Sequence, residues 1–392
     1  MCSFRTEVEK HLKEKLIPFW KNMRDAEFGG FYGYLGFDLA LDKRAEKGCI
    51  LNSRILWFFS VAARLLCDDS LREYAGHSYH FMRDVFEDKK EGGLYWSVSY
   101  DGEPLDTTKH TYNQAFAIYG LAEYYELTGD SSVKDFAFEL FDIVESKMRD
   151  KGGYLEAFDR EFKPASNEKL SENGVMAERT MNTLLHVMEA YTELYRVSKD
   201  AMVKRALQEA LELTKHKVFD EERKRLKVFF DKEYNSLIDL YSYGHDIEAA
   251  WLVDYALEVL SEDKYTEMLA PVTDIIAERI YEIPFDGSSM PAECEDGRVL
   301  ETRIWWVEAE SINGFVNAYL KHPEKTEYKE AALKIWDYIK KNMIDKRDGS
   351  EWYAEVSKDG KPIEGKPIVE PWKCPYHNGR MCLEMLRRNI PF

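Results

Sequence analysis

Four of the nine histidines stand where an imidazole could do chemistry. His245 lies in Tyr241-Ser242-Tyr243-Gly244-His245-Asp246-Ile247-Glu248, just before an apolar periodic run. That context puts it at the mouth of a helix. Glu248, three residues on, shares its face and is placed to orient the ring. His377 lies in Pro371-Trp372-Lys373-Cys374-Pro375-Tyr376-His377-Asn378-Gly379-Arg380. Two prolines stiffen this loop, so Trp372 offers an apolar platform, His377 a titratable base and Arg380 a clamp for an anion or hydroxyl. Asn182 and His186 are four apart on an otherwise apolar run and share a face. His110 opens a further run, Lys109-His110-Thr111-Tyr112-Asn113-Gln114, rich in residue types that bind sugars. His11, His77, His80, His216 and His322 read as surface residues.

An unperturbed imidazole titrates at about 6.5, which suits it to moving protons near neutral pH. Arg54 sits in an apolar run, Asn52-Ser53-Arg54-Ile55-Leu56-Trp57, and a buried guanidinium needs a partner or a ligand. Trp305-Trp306-Val307-Glu308-Ala309-Glu310 adds two indoles and the Glu308 carboxylate at another helix start. Aromatic rings beside carboxylates, amides and imidazoles suit a pyranose, which has one apolar face and a polar rim. No HExxH, P-loop, GxGxxG after a strand or GxSxG elbow occurs, and no two of the four candidate histidines have a compact ligand spacing on one helix. The sequence therefore predicts acid–base work by side chains alone, with no metal and no cofactor.

Helices must position these groups. Apolar residues recur at three- and four-residue steps over 51–66, 111–127, 133–148, 176–195, 247–260 and 309–320. Strand signals are weak and short. Gly29-Gly30, Gly92-Gly93, Gly152-Gly153 and Gly349 mark an internal repeat, with first spacings of 63 and 60 and a last gap of 197, close to three further steps. Asp101-Gly102, Asp159-Arg160 and Asp359-Gly360 follow as hairpin turns. Each period holds two antiparallel helices and a hairpin, and six fit in 392 residues. The predicted fold is all-α, an (α/α)6 barrel with short β-hairpin loops at the active-site end. With no linker or shift in composition, residues 1–392 read as a single domain.

Acidic residues outnumber basic ones, 72 to 54, a net charge of −18. That field disfavours nucleic acid and anionic membrane surfaces as partners. The opening MCSFRTEVEK has no apolar core segment, and the six cysteines form no CxxC pair. The expectation is a cytoplasmic protein, without a signal peptide.

Seven stretches carry a family resemblance: FGGFYGYL, RILWFFS, KHTYNQAFAIYGLAEYY, LSENGVMAERTMNTLLH, SYGHDIEAAWL, RIWWVEAE and PWKCPYHNGRMC. They span about residue 28 to about residue 382. Taken jointly, they make the chain resemble the N-acylglucosamine 2-epimerase superfamily, and within it the cellobiose 2-epimerases. The resemblance implies the (α/α)6 barrel again. It implies that His245 and His377 are the catalytic pair at C2 of a reducing-end sugar and that His186 is a third site histidine. Arg54 and Asn182 would hold the ring-opened sugar's oxygens, Glu248 would support His245, and Trp372 would stack on sugar. Trp305, Trp306, Glu308 and Arg380 would be further site positions. The expected partner is a β-1,4-linked disaccharide, the expected assembly a monomer or weak homo-oligomer. Other readings stay open on the same fold: an N-acylglucosamine or mannose 2-epimerase, an aldose–ketose isomerase, a glycoside hydrolase using Glu248 and Glu308, or a non-catalytic carbohydrate-binding protein.

Overall fold

The computed structural model describes residues 3–170, 173–388, 390 and 392. Cys2 lies outside them, as do Ser171 and Glu172 of one matching stretch. The helices run α1 (Phe4–His11), α2 (Ile17–Asn22), α3 (Cys49–Leu65), α4 (Arg72–Phe81), α5 (Thr111–Thr128), α6 (Ser131–Lys147), α7 (Met181–Ser198), α8 (Ala201–Leu213), α9 (Tyr243–Leu260), α10 (Asp263–Glu282), α11 (Trp305–Lys321), α12 (Thr326–Tyr338) and α13 (His377–Arg387). A π-helical turn, Leu12–Leu16, joins α1 to α2, and similar turns finish α4, α8 and α12.

Side-chain patterning sorts these helices into two rings. In α3 every residue from Cys49 to Ala63 is buried. A helix apolar all round must sit inside. Amphipathic α8 buries only Val203, Ala206, Leu207, Ala210 and Leu211, the stripe of an outer helix. Helices α3, α5, α7, α9, α11 and α13 pack in succession, and α13 packs back on α3. Outside them, α4, α6, α8, α10 and α12 each cover the inner helix that precedes them, and α1 covers α13. The fold is the expected (α/α)6 barrel, closed by pairing the first helix with the last. Among the described residues no helix is long and apolar enough to cross a membrane.

Short antiparallel ladders stitch neighbouring units at one end. The strand before each inner helix pairs with the hairpin of the next unit: Lys47–Gly48 with Ser97–Val98, Lys109–His110 with Ala157–Phe158, and Arg179–Thr180 with Phe229–Phe230. Leu240–Ser242 pairs likewise with Glu293–Glu295, and Arg303–Ile304 with Glu355–Val356. Two residues before the helix, most of these strands carry a cation that clasps an aspartate in the preceding turn. The clasps are Lys47–Asp25 (2.6 Å), Lys109–Asp88 (3.3 Å), Arg179–Asp150 (2.5 Å) and Arg303–Asp286 (2.5 Å). In the fourth unit Tyr241 takes that position.

The structure moves several boundaries. The run expected over 176–195 becomes helical only at Met181, because Thr180 caps it by accepting the Thr183 N–H and residues 179–180 are drawn into a ladder. Helices α9 and α11 start four residues earlier than periodicity suggests, at Tyr243 and Trp305. His11 and His77 are not free surface groups: the Trp352 indole donates to His11 Nε2 (2.7 Å), and His77 Nε2 meets the Gly30 carbonyl (2.8 Å).

Candidate active site

All six inner helices point their N-termini at one end of the barrel, where a cavity opens. It is lined by Arg54 of α3, Tyr112 of α5, Asn182 and His186 of α7, His245 and Glu248 of α9, Trp305 and Trp306 of α11, and His377 of α13, with Trp372 from the loop before it. Nine of these ten residues come from the inner helices, and every inner helix contributes at least one. The N-termini add partial positive charge, which favours developing negative charge on a ligand.

Each imidazole is tethered at one nitrogen. His377 Nδ1 lies 2.8 Å from Glu310 Oε1, His186 Nδ1 2.8 Å from Glu189 Oε2, and His245 Nδ1 2.7 Å from Ser242 Oγ. Burial pushes His245 and His377 down to about 3, despite the Glu310 carboxylate near both. Burial also lowers His186, against the opposing pull of Glu189. All three rings are therefore neutral near pH 7. Trp306 packs against two of them, with ring centroids 4.7 Å from His245 and 5.6 Å from His377.

Arg54 is held flat between Phe116 and Tyr376, its guanidinium 4.1 and 4.5 Å from the ring centroids. It donates to the Tyr112 hydroxyl (2.8 Å) and the Trp372 carbonyl (3.2 Å). Asn182 Oδ1, Glu248 Oε2, Arg54 Nε and the Trp305 indole nitrogen are buried with no hydrogen-bond partner among the described residues. Such orphans are rare unless a ligand or water satisfies them, and all four belong to cavity residues.

Four expectations are corrected. Glu248 does not support His245; it binds Arg380 and comes no closer than 3.9 Å to His377 Nδ1. The groups that orient the histidines are Glu310, Glu189 and Ser242, which sequence reasoning missed. Arg380 lies behind the cavity wall rather than in it, fully buried and bonded to Glu189, Glu248 and Glu310. Glu308 and Asn113 also face away. Glu308 accepts the Met290 backbone N–H (3.0 Å), and Asn113 donates to the Tyr95 carbonyl (3.0 Å). A hydrolase pair of Glu248 with Glu308 is thus absent, because only Glu248 reaches the cavity. Signals for the orienting groups were legible in part: Glu189 is three residues from His186, a same-face spacing, whereas Glu310 and His377 are 67 apart.

Glu248, Glu310 and His377 bring potential metal ligands within 4.8 Å of one another. Arg380 already supplies the positive charge there, bridging both carboxylates through Nη2. Burial would raise Glu310, but Arg380 and the His377 hydrogen bond outweigh it and hold it ionised. Glu248 is pushed the other way by burial and by repulsion from Glu310.

Residues 29–378 match the N-acylglucosamine 2-epimerase (GlcNAc 2-epimerase) family. The chain belongs to that family. Cellobiose 2-epimerase of Eubacterium cellulosolvens is 52% identical, with 98% of each chain aligned. A sugar epimerase from a ruminal bacterium superposes with a TM-score of 0.98 at 44% identity, covering 100% of both chains. The cellobiose 2-epimerase of Bacillus thermoamylovorans B4167 gives 0.94 at 44% identity, over 99% of this chain and 100% of that one.

Proposed function

We propose that the protein is a cellobiose 2-epimerase, interconverting glucose and mannose at the reducing end of β-1,4-linked disaccharides such as cellobiose, lactose and mannobiose. The observation that carries this reading is the convergence of His245 and His377, each tethered at Nδ1, on one cavity with orphaned polar atoms. Relatives of this name, matching over nearly the whole chain, support the substrate class.

The C2 proton of an aldose is acidic only in the open-chain form, where the C1 carbonyl can accept the electron pair. The ring opens as a proton leaves O1 and another reaches O5. One imidazole then takes the C2 proton, and the electrons move to O1 as an enediolate. The second gives a proton to the opposite face of C2, restoring the carbonyl and inverting the centre; the proton released from O1 replaces it on that ring, and the first imidazole gives up its proton as the sugar ring closes. Arg54, Asn182 and the helix N-termini stabilise the charge on O1 and O2. Trp372, Trp305 and Trp306 stack on the sugar. The scheme uses neither metal nor cofactor, and activity is expected to survive dialysis against a chelator. Of the six cysteines, the five among the described residues are free and three of these are buried, which favours a reducing cytoplasm.

Cellobiose incubated with the enzyme in D₂O and followed by NMR should gain deuterium at C2 and yield the mannose-terminated epimer. His245→Ala and His377→Ala should each lose roughly 10²–10⁴-fold in rate while remaining folded. Release of monosaccharides, or full activity in either variant, contradicts the assignment.

A further inference from the structure

The three cavity imidazoles are not tethered alike. Glu189 and Glu310 hold His186 and His377 through carboxylates, which only accept hydrogen bonds when ionised. Those two rings therefore carry hydrogen on Nδ1 and offer an Nε2 lone pair. His245 is held instead by the Ser242 hydroxyl, 2.7 Å away, which can donate or accept.

Two features decide between those options. Ser242 is the N-cap residue of α9, yet its side chain makes no capping bond. Its Oγ has no other hydrogen-bond partner among the described residues, so His245 Nδ1 is the acceptor open to the hydroxyl hydrogen. His245 is also the third residue of α9. The positive end of the helix there disfavours an imidazolium, which alone would need to donate from both nitrogens.

We propose that Ser242 donates to His245 Nδ1 and sets that ring in the Nε2–H tautomer, opposite to His377. In the free enzyme the cavity is then faced by two lone pairs, on His186 and His377, and one N–H, on His245. His377 is the first proton acceptor, and His245 first serves as a hydrogen-bond donor to a sugar oxygen. A hydroxyl, unlike a carboxylate, can turn and accept when the reaction runs in reverse. Ser242 is thus a positioning residue acting through His245. This catalytic consequence rests on the epimerase reading; the tautomer itself does not.

The test is long-range ¹H–¹⁵N NMR of the full chain labelled with ¹⁵N-histidine at neutral pH, with signals assigned by their loss in His245→Asn, His377→Asn and His186→Asn. Wild-type His245 should show a protonated Nε2 and a bare Nδ1, with His186 and His377 showing the reverse. Ser242→Ala should shift His245 to mixed tautomers and lower kcat on cellobiose by about 10²-fold with KM within a few-fold. Ser242→Thr keeps the hydroxyl and should restore both readouts. A protonated Nδ1 on wild-type His245, or an unchanged tautomer in Ser242→Ala, overturns the proposal. A wild-type protein that never labels C2 overturns the epimerase reading alone, since the tautomer is read without substrate.

Discussion

Glu310 Oε1 accepts hydrogen bonds from His377 Nδ1 at 2.8 Å and from Arg380 Nη2 at 2.7 Å. One oxygen thus fixes the tautomer of the imidazole and is itself kept ionised by a buried guanidinium. Glu310→Gln removes the charge and can present its NH₂ to the ring, favouring the wrong tautomer. We expect kcat to fall by about 10²–10⁴-fold, as when a triad carboxylate becomes an amide, with little change in KM. Steady-state kinetics with C2 deuterium exchange checks this; a kcat within threefold of wild type removes Glu310 from the orienting role.

Gly244 gives Trp306 its place. A Cβ there would lie 2.5 Å from the Trp306 ring and 2.8 Å from Val307 Cγ2. In an unconstrained helix Gly→Ala gains about 1 kcal/mol from propensity. Here we expect Gly244→Ala to lose stability and to cut kcat/KM by about 10²-fold, because the displaced indole packs against both His245 and His377, the proposed proton-transfer pair. A more stable variant of normal activity would show that Trp306 can move freely.

His110 is fully buried, and neither ring nitrogen has a hydrogen-bond partner among the described residues. Burial, with a smaller contribution from Lys169, pushes it down to about 3, against about 6.5 when unfolded. The unfolded chain therefore binds more protons between those values, and stability must fall as pH drops through this window. His110→Phe should flatten the decline in unfolding free energy below pH 6.5 by up to about 1.4 kcal/mol per pH unit. Urea titrations at pH 7, 6 and 5 measure it; an unchanged slope shows that His110 is not the source.

Lys47 and Asp25 form a clasp whose side chains are each 1% exposed. Lys47→Met leaves the carboxylate buried without its counter-charge, and about 3–5 kcal/mol of stability should go with it. A loss below 1 kcal/mol in denaturant unfolding would mean that the turn N–H groups of Glu27 and Phe28 suffice to hold Asp25.

The repeat was legible where glycine supplies the left-handed turn, at Gly29-Gly30 and Gly92-Gly93. It faded in the middle of the chain because Phe162, Lys224 and Tyr234 adopt positive φ without being glycine. Local backbone hydrogen bonds to the Asp159, Asp220 and Asp231 carbonyls close those turns with no glycine to mark them. Similarly, Asn182 with His186 and Trp305 with Trp306 could be placed from spacing, since each pair sits on one helix.

By itself, the sequence determined the helical period, the six-unit repeat and the residue types at the mouths of the inner helices. Those features are local: a hydrophobic stripe, a turn residue and a helix start are each written within a few positions. Only the tertiary structure decided which carboxylate meets which cation and which imidazole. Glu248 turned to Arg380 rather than to its neighbour His245, and Glu310 reached His377 across 67 residues. A buried charge takes whichever partner barrel closure brings within hydrogen-bond distance, and that partner is set by the ring of helices rather than by nearness along the chain.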